Sequence, residues 1–327
     1  MEIRAYSPAD LSRIVKLWNL CVQRGEALYR PLIPAYFEEK FLHPGTQIWI
    51  AEENSAFLGF VIGCVKTDFL PGQTAENTPG FLSVLMVSPD HRCRGVGSAL
   101  LSHLETRFAE MGKKQCQASG SCPVNLDWVI PNTPGHEHNN LPGADTDGMI
   151  HPFLLHHGYG QTGRVMGMYL NLAKYQKSPV IEEKRAALAA RGIIAGLYDP
   201  AQGCEFDGMC DRVGSEYWRS VLQTETAAAH PRPILAAVCD GHIVGFTGPV
   251  DKQPNGRGWF SGICTDPNFG GLGIASVLFN DLMVEFQKVG AAYSTLYTGA
   301  NHHAQRVYRA AGFVPARYFA IMSKDLT

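Results

Sequence analysis

Two segments of the sequence combine residue types that bind anions. They read VSPDHRCRGVG (residues 87–97) and TDPNFGGLGIA (residues 265–275), and apolar residues at helical spacing follow each of them. The first N–H groups of a helix lack intrahelical partners, and the helix dipole favours negative charge beside them. Glycines at 95 and 97 let the main chain bend around a phosphate with no Cβ in the way. Both segments therefore predict a phosphate-binding turn, and the first also carries arginines at 92 and 94.

A third segment carries a group that can donate a proton. In NHHAQRVYRAAGF (residues 301–313), Asn301, Ala304 and Tyr308 stand three and four residues apart, which predicts that they share one face of a helix. A phenol can act as a general acid when its hydroxyl lies close to a leaving group. The alternative is that Tyr308 is a core aromatic in front of the glycine that ends the helix.

Two nucleotide-binding motifs with glycine turns fit this chain poorly. A dinucleotide fingerprint needs three glycines after the first strand of a parallel unit and an acidic residue about 20 residues later. Here the turn follows a predicted antiparallel hairpin, and residues 104–110 continue a helix. No G-K-S or G-K-T follows either turn, so a Walker loop is excluded as well.

The elements around these turns occur twice in the chain. Residues 48–66 align without gaps with residues 234–252, and both copies predict two strands joined by a polar turn. The phosphate turn and its helix follow in each copy. Strand-like segments at 158–172 and 312–326 then close the two halves. This order predicts a tandem repeat of one structural unit.

The repetition predicts two domains. At 327 residues, the chain exceeds the length at which a single core usually stops growing. A polar joint and a helix-prone segment separate the copies, so we expect domains at residues 1–178 and 179–327. Each half mixes helices with hairpin strands. The expected fold class is therefore α+β, with a mainly antiparallel, twisted mixed sheet flanked by helices in each half.

The first half carries a long insertion. Gly158 follows Gly97 by 61 residues, whereas Gly312 follows Ala275 by 37. The extra residues fall in 119–148, which is rich in Pro, Gly and Asn and is typical of a loop. Histidines in and after this segment could bind zinc, but they come without identified further ligands. We therefore expect a solvated loop and no metal.

The halves also differ at the predicted proton donor. Tyr308 precedes Gly312 by four residues, and the corresponding residue before Gly158 is Leu154. Leucine cannot donate a proton. We therefore expect catalysis in the second half, while the first half binds a donor unproductively or serves as a scaffold.

These motifs resemble those of the GNAT family of N-acetyltransferases. The acetyl-CoA motif of that family is approximately Val-x-Pro-x-x-Arg/Gln-x-x-Gly-x-Gly/Ala. The first copy matches it at Val87, Pro89, Arg92, Gly95 and Gly97. The second copy matches at Pro267, Gly273 and Ala275, with Thr265 in place of valine and Gly270 in place of the basic or amide residue. The segment around Tyr308 matches the family's Asn-x-x-Ala-x-x-x-Tyr-x-x-x-Gly-Phe motif in full. The chain thus resembles a tandem GNAT protein.

The resemblance implies an acyl donor, acetyl-CoA, bound as a substrate, and roles for particular residues. Tyr308 would be the general acid and Asn301 a donor contact. A splayed central strand would pair with the pantetheine arm as an added strand does. The implied donor contacts are Leu85, Met86, Val87, Arg92, Cys93, Arg94, Gly95, Val96, Gly97 and Ser98 in the first half, and Ile263, Cys264, Thr265, Gly270, Gly271, Leu272, Gly273, Ile274 and Ala275 in the second.

The general base and the acceptor stay open. Candidate bases are Glu205, Asp207, Glu216, Asp251, Asp266 and His302, although Asp266 fits a turn-forming role better. Aromatic residues in 25–41 and 211–222 could line an acceptor pocket or belong to the core. The function is expected to be acetyl transfer to a primary amine of a small molecule. The alternative is a protein that senses acyl-CoA without turnover.

Composition limits the partners and the location. A formal net charge of −2 without long runs of like charge argues against a nucleic-acid partner. The chain begins without a secretory pattern and has no apolar run long enough to span a membrane, so we expect a cytoplasmic protein, as a monomer or homodimer. Its 9 cysteines are scattered singly, and we expect them to be free thiols, mostly buried.

Overall fold

The computed structural model describes residues 1–70 and 72–326. Contacts between residues divide the chain into two compact units. The first unit consists of Met1–Gly167 together with the chain from Ala316 onward, and the second consists of Met168–Pro315. The division expected from the sequence, 1–178 and 179–327, differs from this one at both ends. The last strand of the chain belongs to the first unit, and the end of the strand that closes the first half belongs to the second.

The elements of the first half follow the order expected from the repeat. They are β1 (Glu2–Ala5), α1 (Leu11–Gln23), α2 (Pro34–Phe41), β2 (Thr46–Glu53), β3 (Ala56–Cys64), β4 (Gly80–Val87), α3 (Val96–Glu110), β5 (Gln115–Ala118), β6 (Trp128–Val129), β7 (Glu137–His138), β8 (Ala144–Asp145), α4 (Ile150–His156) and β9 (Gly160–Asn171).

The second half repeats most of this order. Its elements are α5 (Val180–Ala189), β10 (Ile193–Leu197), α6 (Asp207–Val213), α7 (Glu216–Ala227), β11 (Leu235–Cys239), β12 (His242–Thr247), β13 (Asp251–Lys252), β14 (Arg257–Trp259), β15 (Ile263–Thr265), α8 (Ile274–Lys288), β16 (Tyr293–Gly299), α9 (Gln305–Ala310) and β17 (Val314–Asp325).

The sheet of the first unit is mainly antiparallel. Its strand order is β1-β2-β3-β4-β5-β17, in which the β4–β5 pair is parallel and the others are antiparallel. Trp18 of α1 and Phe37 of α2 pack on one face of the sheet, and Leu104 and Phe108 of α3 pack on the other. These side chains are fully buried because strand residues alternate between the two faces and each face meets an apolar helix surface.

The second unit contains the same kind of hairpin sheet. Strands β10, β11, β12 and β15 form an antiparallel sheet, and β14 pairs in parallel with β16. Helix α8 supplies the apolar side chains Leu278, Leu282 and Phe286, all fully buried. The expected α+β fold with mainly antiparallel sheets is confirmed in both units.

Strand register confirms the alignment of the two copies. Gly59 of β3 pairs with Val87, and Gly245 of β12 pairs with Thr265, as the sequence alignment requires. The β2–β3 turn places Asn54 and Ser55 at positive φ, and the β11–β12 turn does the same at residues 240 and 241. Such turns match the twist of the strands that they join.

The insertion at 119–148 is more structured than a solvated loop. Strands β6 and β7 form a short hairpin within it, and β8 pairs with β17. Trp128 is fully buried and stacks on His138, which is 5% exposed. The expectation of a solvated segment is therefore wrong for these residues, because an aromatic core anchors the insertion to the first unit.

Candidate functional site

Strands β4 and β5 diverge in the first unit. They pair only at Gly80 with Cys116 and at Phe81 with Gln117. Beyond that point β4 pairs with β3 alone, and the register shifts so that Ile62 and Gly63 of β3 oppose Val84 and Leu82. Ser83 is thus the extra residue of a bulge, which bends the strand. Within residues 1–70 and 72–326, no strand pairs with the other edge of β4 from residue 82 onward.

Helix α3 begins where β4 ends. Gly95 is its N-cap with φ of 83°, and Cys93 has φ of 56°, so the turn uses the left-handed region twice. The N–H groups of the first helical turn have no partners within the helix and carry the positive end of its dipole. The predicted phosphate turn therefore has the geometry of an anion site.

Arg92 stabilises this turn from within. Its Nε donates to the Val87 carbonyl at 3.0 Å, and Nη2 donates to the Glu26 carboxylate at 2.7 Å. The hydrogen bond from Arg92 lowers the pKa of Glu26 below its usual value. Arg92 is therefore engaged with protein groups, whereas Arg94 is exposed on the outside of the turn.

A cavity of about 560 Å³ lies in the cleft between the diverging strands. Its size is that of a typical small-molecule site. The predicted residues that line it are Leu85, Met86, Val87, Arg92, Cys93, Gly95, Gly97 and Ser98. Val96 does not line it, because its side chain is 4% exposed and belongs to the core beside Leu100. Arg94 is also absent from the lining.

The second unit repeats this arrangement in part. Helix α8 has Gly273 as its N-cap with φ of 93°, and Gly271 has φ of 77°. Strand β15 pairs with β12, while β14 pairs with β16 at Arg257 and Gly258 only. The strand that is continuous in the first unit is thus interrupted here at 260–262. Of the predicted donor contacts, Ile274 is 1% exposed and packs in the core.

Tyr308 lies on α9 in an aromatic environment. Its ring is 5.0 Å from that of Phe279 and 6.4 Å from that of Phe313, and the residue is 8% exposed. Burial raises the pKa of its hydroxyl to about 12. Asn301 lies before α9, which begins at Gln305, and it is exposed. The expectation that Asn301 and Tyr308 share a helical face is therefore wrong.

Both halves of the chain match one known protein family. A model described as the acetyltransferase (GNAT) family matches residues 12–121 and again residues 203–313. The chain belongs to the GNAT acetyltransferase family. An acetyltransferase of Yersinia enterocolitica is 30% identical over 114 residues, which cover 34% of this chain and 70% of that protein. The two matched regions make this chain a tandem GNAT protein and an acyltransferase enzyme.

Solved structures share the fold across nearly the whole chain. A GCN5-related N-acetyltransferase from Sphaerobacter thermophilus has a TM-score of 0.61 at 18% identity, covering 99% of this chain and 95% of that one. A tandem GNAT protein from the clavulanic acid biosynthesis pathway has a TM-score of 0.56 at 14% identity, with 100% and 98% covered.

A third structure is larger than this chain. The glucosamine N-acetyltransferase region of a fungal multi-domain β-N-acetylglucosaminidase has a TM-score of 0.68 at 15% identity. The match covers 99% of this GNAT chain but spans only 38% of that multi-domain chain. At such low identities these three likenesses show the fold alone.

Sequence reasoning missed much of the cavity wall of this GNAT protein. Tyr29 lies in the segment 25–41, which the sequence marked for its aromatic residues. Cys122 and Asp145 come from the insertion, and His157 follows α4. Burial, together with the charge of Asp145, raises the pKa of the Tyr29 hydroxyl. No local pattern identified the insertion residues, because tertiary packing alone brings them to the cleft.

Two polar pairs in the cavity are fixed by hydrogen bonds. His157 Nε2 lies 2.8 Å from the Ser98 hydroxyl, and its Nδ1 lies 2.8 Å from the Phe153 carbonyl. Asp145 accepts two hydrogen bonds of 2.8 Å from the Arg317 guanidinium. These contacts hold Ser98 and Asp145 in place along the wall.

The candidate bases of the second unit are mostly engaged in ion pairs. Asp266 is fully buried and binds the Arg212 guanidinium, and it also accepts from the Asn268 N–H. Although burial opposes ionisation, Arg212 holds the pKa of Asp266 below its usual value. Asp207 and Glu216 both pair with Arg219. Asp266 therefore serves as a turn-former, in agreement with the expectation from sequence.

In residues 1–70 and 72–326, no group of three or more His, Cys, Asp or Glu side chains is arranged to hold a metal ion. Over the same residues, no helix has the length and apolarity needed to cross a membrane. All 9 cysteines are free thiols, as expected, and most are buried.

Proposed function

We propose that this protein is an N-acetyltransferase that moves the acetyl group of acetyl-CoA to a primary amine on a small acceptor. The observation that carries the proposal is the divergence of β4 from β5 directly in front of the α3 N-terminus. The free edge at 85–87 offers main-chain groups to the amides of the pantetheine arm. The helix N-terminus offers N–H groups to the diphosphate. One strand–turn–helix unit thus fits both parts of coenzyme A.

The acceptor is proposed to be a small amine. The first-unit cavity has the volume of a small-molecule site, and its wall carries the carboxylates of Glu26 and Asp145, which are paired with Arg92 and Arg317. Each carboxylate keeps lone pairs that can accept a further hydrogen bond from an amine. We further propose that the enzyme is cytoplasmic, acts as a monomer or homodimer, and has neither a nucleic-acid partner nor a resident metal.

Tyr308 is proposed as the general acid of the second unit. Its raised pKa keeps the phenol protonated at neutral pH, so that it can protonate a departing thiolate. A helix N-terminus capped by Gly273 lies in the same unit. In the first unit the equivalent position is Leu154, which is fully buried.

Calorimetry with acetyl-CoA, followed by a transfer assay on a panel of small amines, tests the proposal. Gly97→Val directs a side chain toward Phe153, whose ring would lie 3.3 Å from the added Cβ, and blocks the first cleft. Ala275→Val makes the matching change in the second unit. We expect binding of acetyl-CoA to the unaltered protein and amide formation with at least one amine. Binding without transfer to any amine would instead support the acyl-CoA sensor.

A further inference from the structure

Three nucleophilic side chains meet beside the first-unit cleft. Cys64 Sγ lies 3.3 Å from Cys122 Sγ, and the Ser83 hydroxyl lies 3.4 Å from Cys64 Sγ and 3.3 Å from Cys122 Sγ. Cys64 ends β3, Ser83 is the bulged residue of β4, and Cys122 belongs to the insertion. Each of the three is therefore in contact with the other two at the point where β4 leaves β5.

Only one of the two thiols can be reached from the cavity. Cys64 is fully buried and does not line the cavity, whereas Cys122 is partly exposed and does. Ser83 and Leu85, from the unpaired edge of β4, line the same wall. A ligand that pairs with this edge therefore lies beside Ser83 and the Cys122 sulfur, whereas Cys64 lies outside the cavity lining.

The surroundings of Cys122 favour its thiolate. A hydrogen bond from the Cys64 thiol lowers the pKa of Cys122, and the Ser83 hydroxyl and the Val124 N–H act in the same direction against the cost of burial. The pKa of Cys64 is raised, because the neighbouring sulfur accepts its proton in a hydrogen bond and burial disfavours a second charge. A thiolate, and not a thiol, is the nucleophile in acyl transfer.

We propose that Cys122 is a catalytic nucleophile that takes the acyl group from a thioester bound in the first-unit cavity. The inference rests on the proposed function for the identity of the donor. The Cys122 sulfur attacks the thioester carbonyl, the new C–S bond forms, and the bond to the coenzyme A sulfur breaks. The proton lost by Cys122 ends on the released coenzyme A thiol. The acyl-enzyme then gives its acyl group to an amine, which forms an amide and restores the Cys122 thiol.

The first step is thermodynamically balanced. One thioester replaces another, so no bond type is lost or gained. The equilibrium constant of this step therefore lies near one. Transfer of the acyl group from Cys122 to an amine then makes the overall reaction favourable, because an amide is more stable than a thioester. This chemistry needs no phenol at the position of Leu154. It therefore gives the first unit an activity that is independent of Tyr308.

Mass spectrometry of the full-length protein after incubation with acetyl-CoA, without an amine and with an acid quench, tests this role. We expect one acetyl group on the peptide that contains Cys122, removable by neutral hydroxylamine. Cys122→Ala abolishes the label. Cys64→Ala and Ser83→Ala slow labelling about tenfold, because each removes one hydrogen bond to the thiolate. Cys239→Ala, a partly exposed thiol of the second unit, labels as the unaltered protein does.

Two further readouts separate specific acylation from other outcomes. Cys93 is exposed on the wall of the same cavity, so chemical acylation without catalysis would label Cys93 at least as fast as Cys122 and would overturn the proposal. Circular dichroism of Cys122→Ala and Cys122→Ser establishes that loss of label is not loss of folding.

Calorimetric binding of acetyl-CoA distinguishes failure of this inference from failure of the proposed function. Acetyl-CoA could bind and protect Cys122 from iodoacetamide without any acetyl group appearing on Cys122. That result would refute the role of Cys122 as a nucleophile and leave acetyl-CoA as the donor. If acetyl-CoA does not bind at all, the donor itself is wrong, and the inference falls with it.

Discussion

The hydroxyl of Tyr308 can be removed while the packing of its ring is kept. A phenylalanine keeps the ring contacts with Phe279 and Phe313 and loses only the proton donor. We expect Tyr308→Phe to lower turnover by the second unit about a hundredfold, because that is the usual contribution of a general acid. The dissociation constant for acetyl-CoA should not change.

The measurement for Tyr308 is steady-state kinetics with the best amine, beside calorimetry with acetyl-CoA. Both are made in a protein whose Cys122 is replaced by alanine, so that the second unit is observed alone. Tyr217→Phe is the matched control, because Tyr217 is 55% exposed. Unchanged turnover in Tyr308→Phe would assign the phenol to the core and leave the proton donor of the second unit unassigned.

Asp10 is a second residue with a measurable role, in stability. Its carboxylate is fully buried and accepts hydrogen bonds from Arg4 and from the Ser7 N–H, each at 2.8 Å. These bonds, that of Arg4 above all, hold the pKa of Asp10 well below its usual value. A depressed pKa stabilises the folded state above the unfolded-state pKa of about 3.9, and this contribution is lost as the pH falls through the folded-state pKa.

Asp10→Asn should therefore lower the free energy of unfolding by about 3 kcal/mol at neutral pH, the usual cost of breaking a buried ion pair. The difference from the unaltered protein should shrink as the pH falls below about 4. Urea unfolding at several pH values measures it. Glu53→Gln is the control, because Glu53 pairs with the amino terminus at the surface. A difference independent of pH would contradict the assignment.

Helices α3 and α8 show which elements a sequence specifies well. Each begins at a glycine N-cap behind a proline turn, and each ends where its apolar spacing ends. Local rules suffice for such features, because the proline, the glycine and the helical spacing act within a few residues. Asn301 shows the opposite case. Its spacing from Tyr308 fits a helix, but the chain starts that helix only at Gln305.

A cluster of charged side chains links helix α8 to α5 and to the segment before it. Asp281 accepts two hydrogen bonds of 2.7 Å from Arg185 and one of 2.7 Å from Lys177. Its side chain is 13% exposed, so water screens these bonds only in part. Asp281→Asn should lower the free energy of unfolding by about 2 kcal/mol, because it removes the more buried of the two carboxylates that pair with Arg185 and Lys177 and leaves only the exposed Glu182.

Thermal unfolding followed by circular dichroism measures this effect. Glu285→Gln, on the same helix, is the matched control, because Glu285 pairs with Lys288, which is 62% exposed. Exposed pairs of this kind contribute little to stability. Equal stability of the two variants would show that packing, and not the Asp281 cluster, holds α5 to α8.

At the scale of the molecule, the sequence reveals the repeat but not which unit each closing strand joins. Strands β9 and β17 align without gaps and both have a strand-like composition, so their sequences do not decide which sheet each completes. The contacts that decide between them join residues far apart in sequence, such as Phe319 with Trp128 at 5.0 Å between rings. No periodicity encodes such a choice. For the same reason, the sequence did not predict that residues of the insertion line the cavity.

The assignment of the last strand to the first unit leads to a prediction for the whole chain. Phe319 is fully buried, and Met322 of the same strand pairs with Ala118 of β5. Phe319→Ala should lower the free energy of unfolding by about 3 to 5 kcal/mol through the cavity that it leaves. The loss should fall on the first unit, although residue 319 lies near the end of the chain.

Amide hydrogen exchange followed by mass spectrometry locates the loss. In Phe319→Ala, exchange should accelerate in β5 and β8 and stay nearly unchanged in β10, β11 and β12. Met283→Ala, an equally buried side chain of α8, should show the reverse pattern. If Phe319→Ala accelerated exchange mainly in the second unit, the halves would be closed by their own strands. A division at residue 178 would then describe the folding units better than the division that assigns β17 to the first unit.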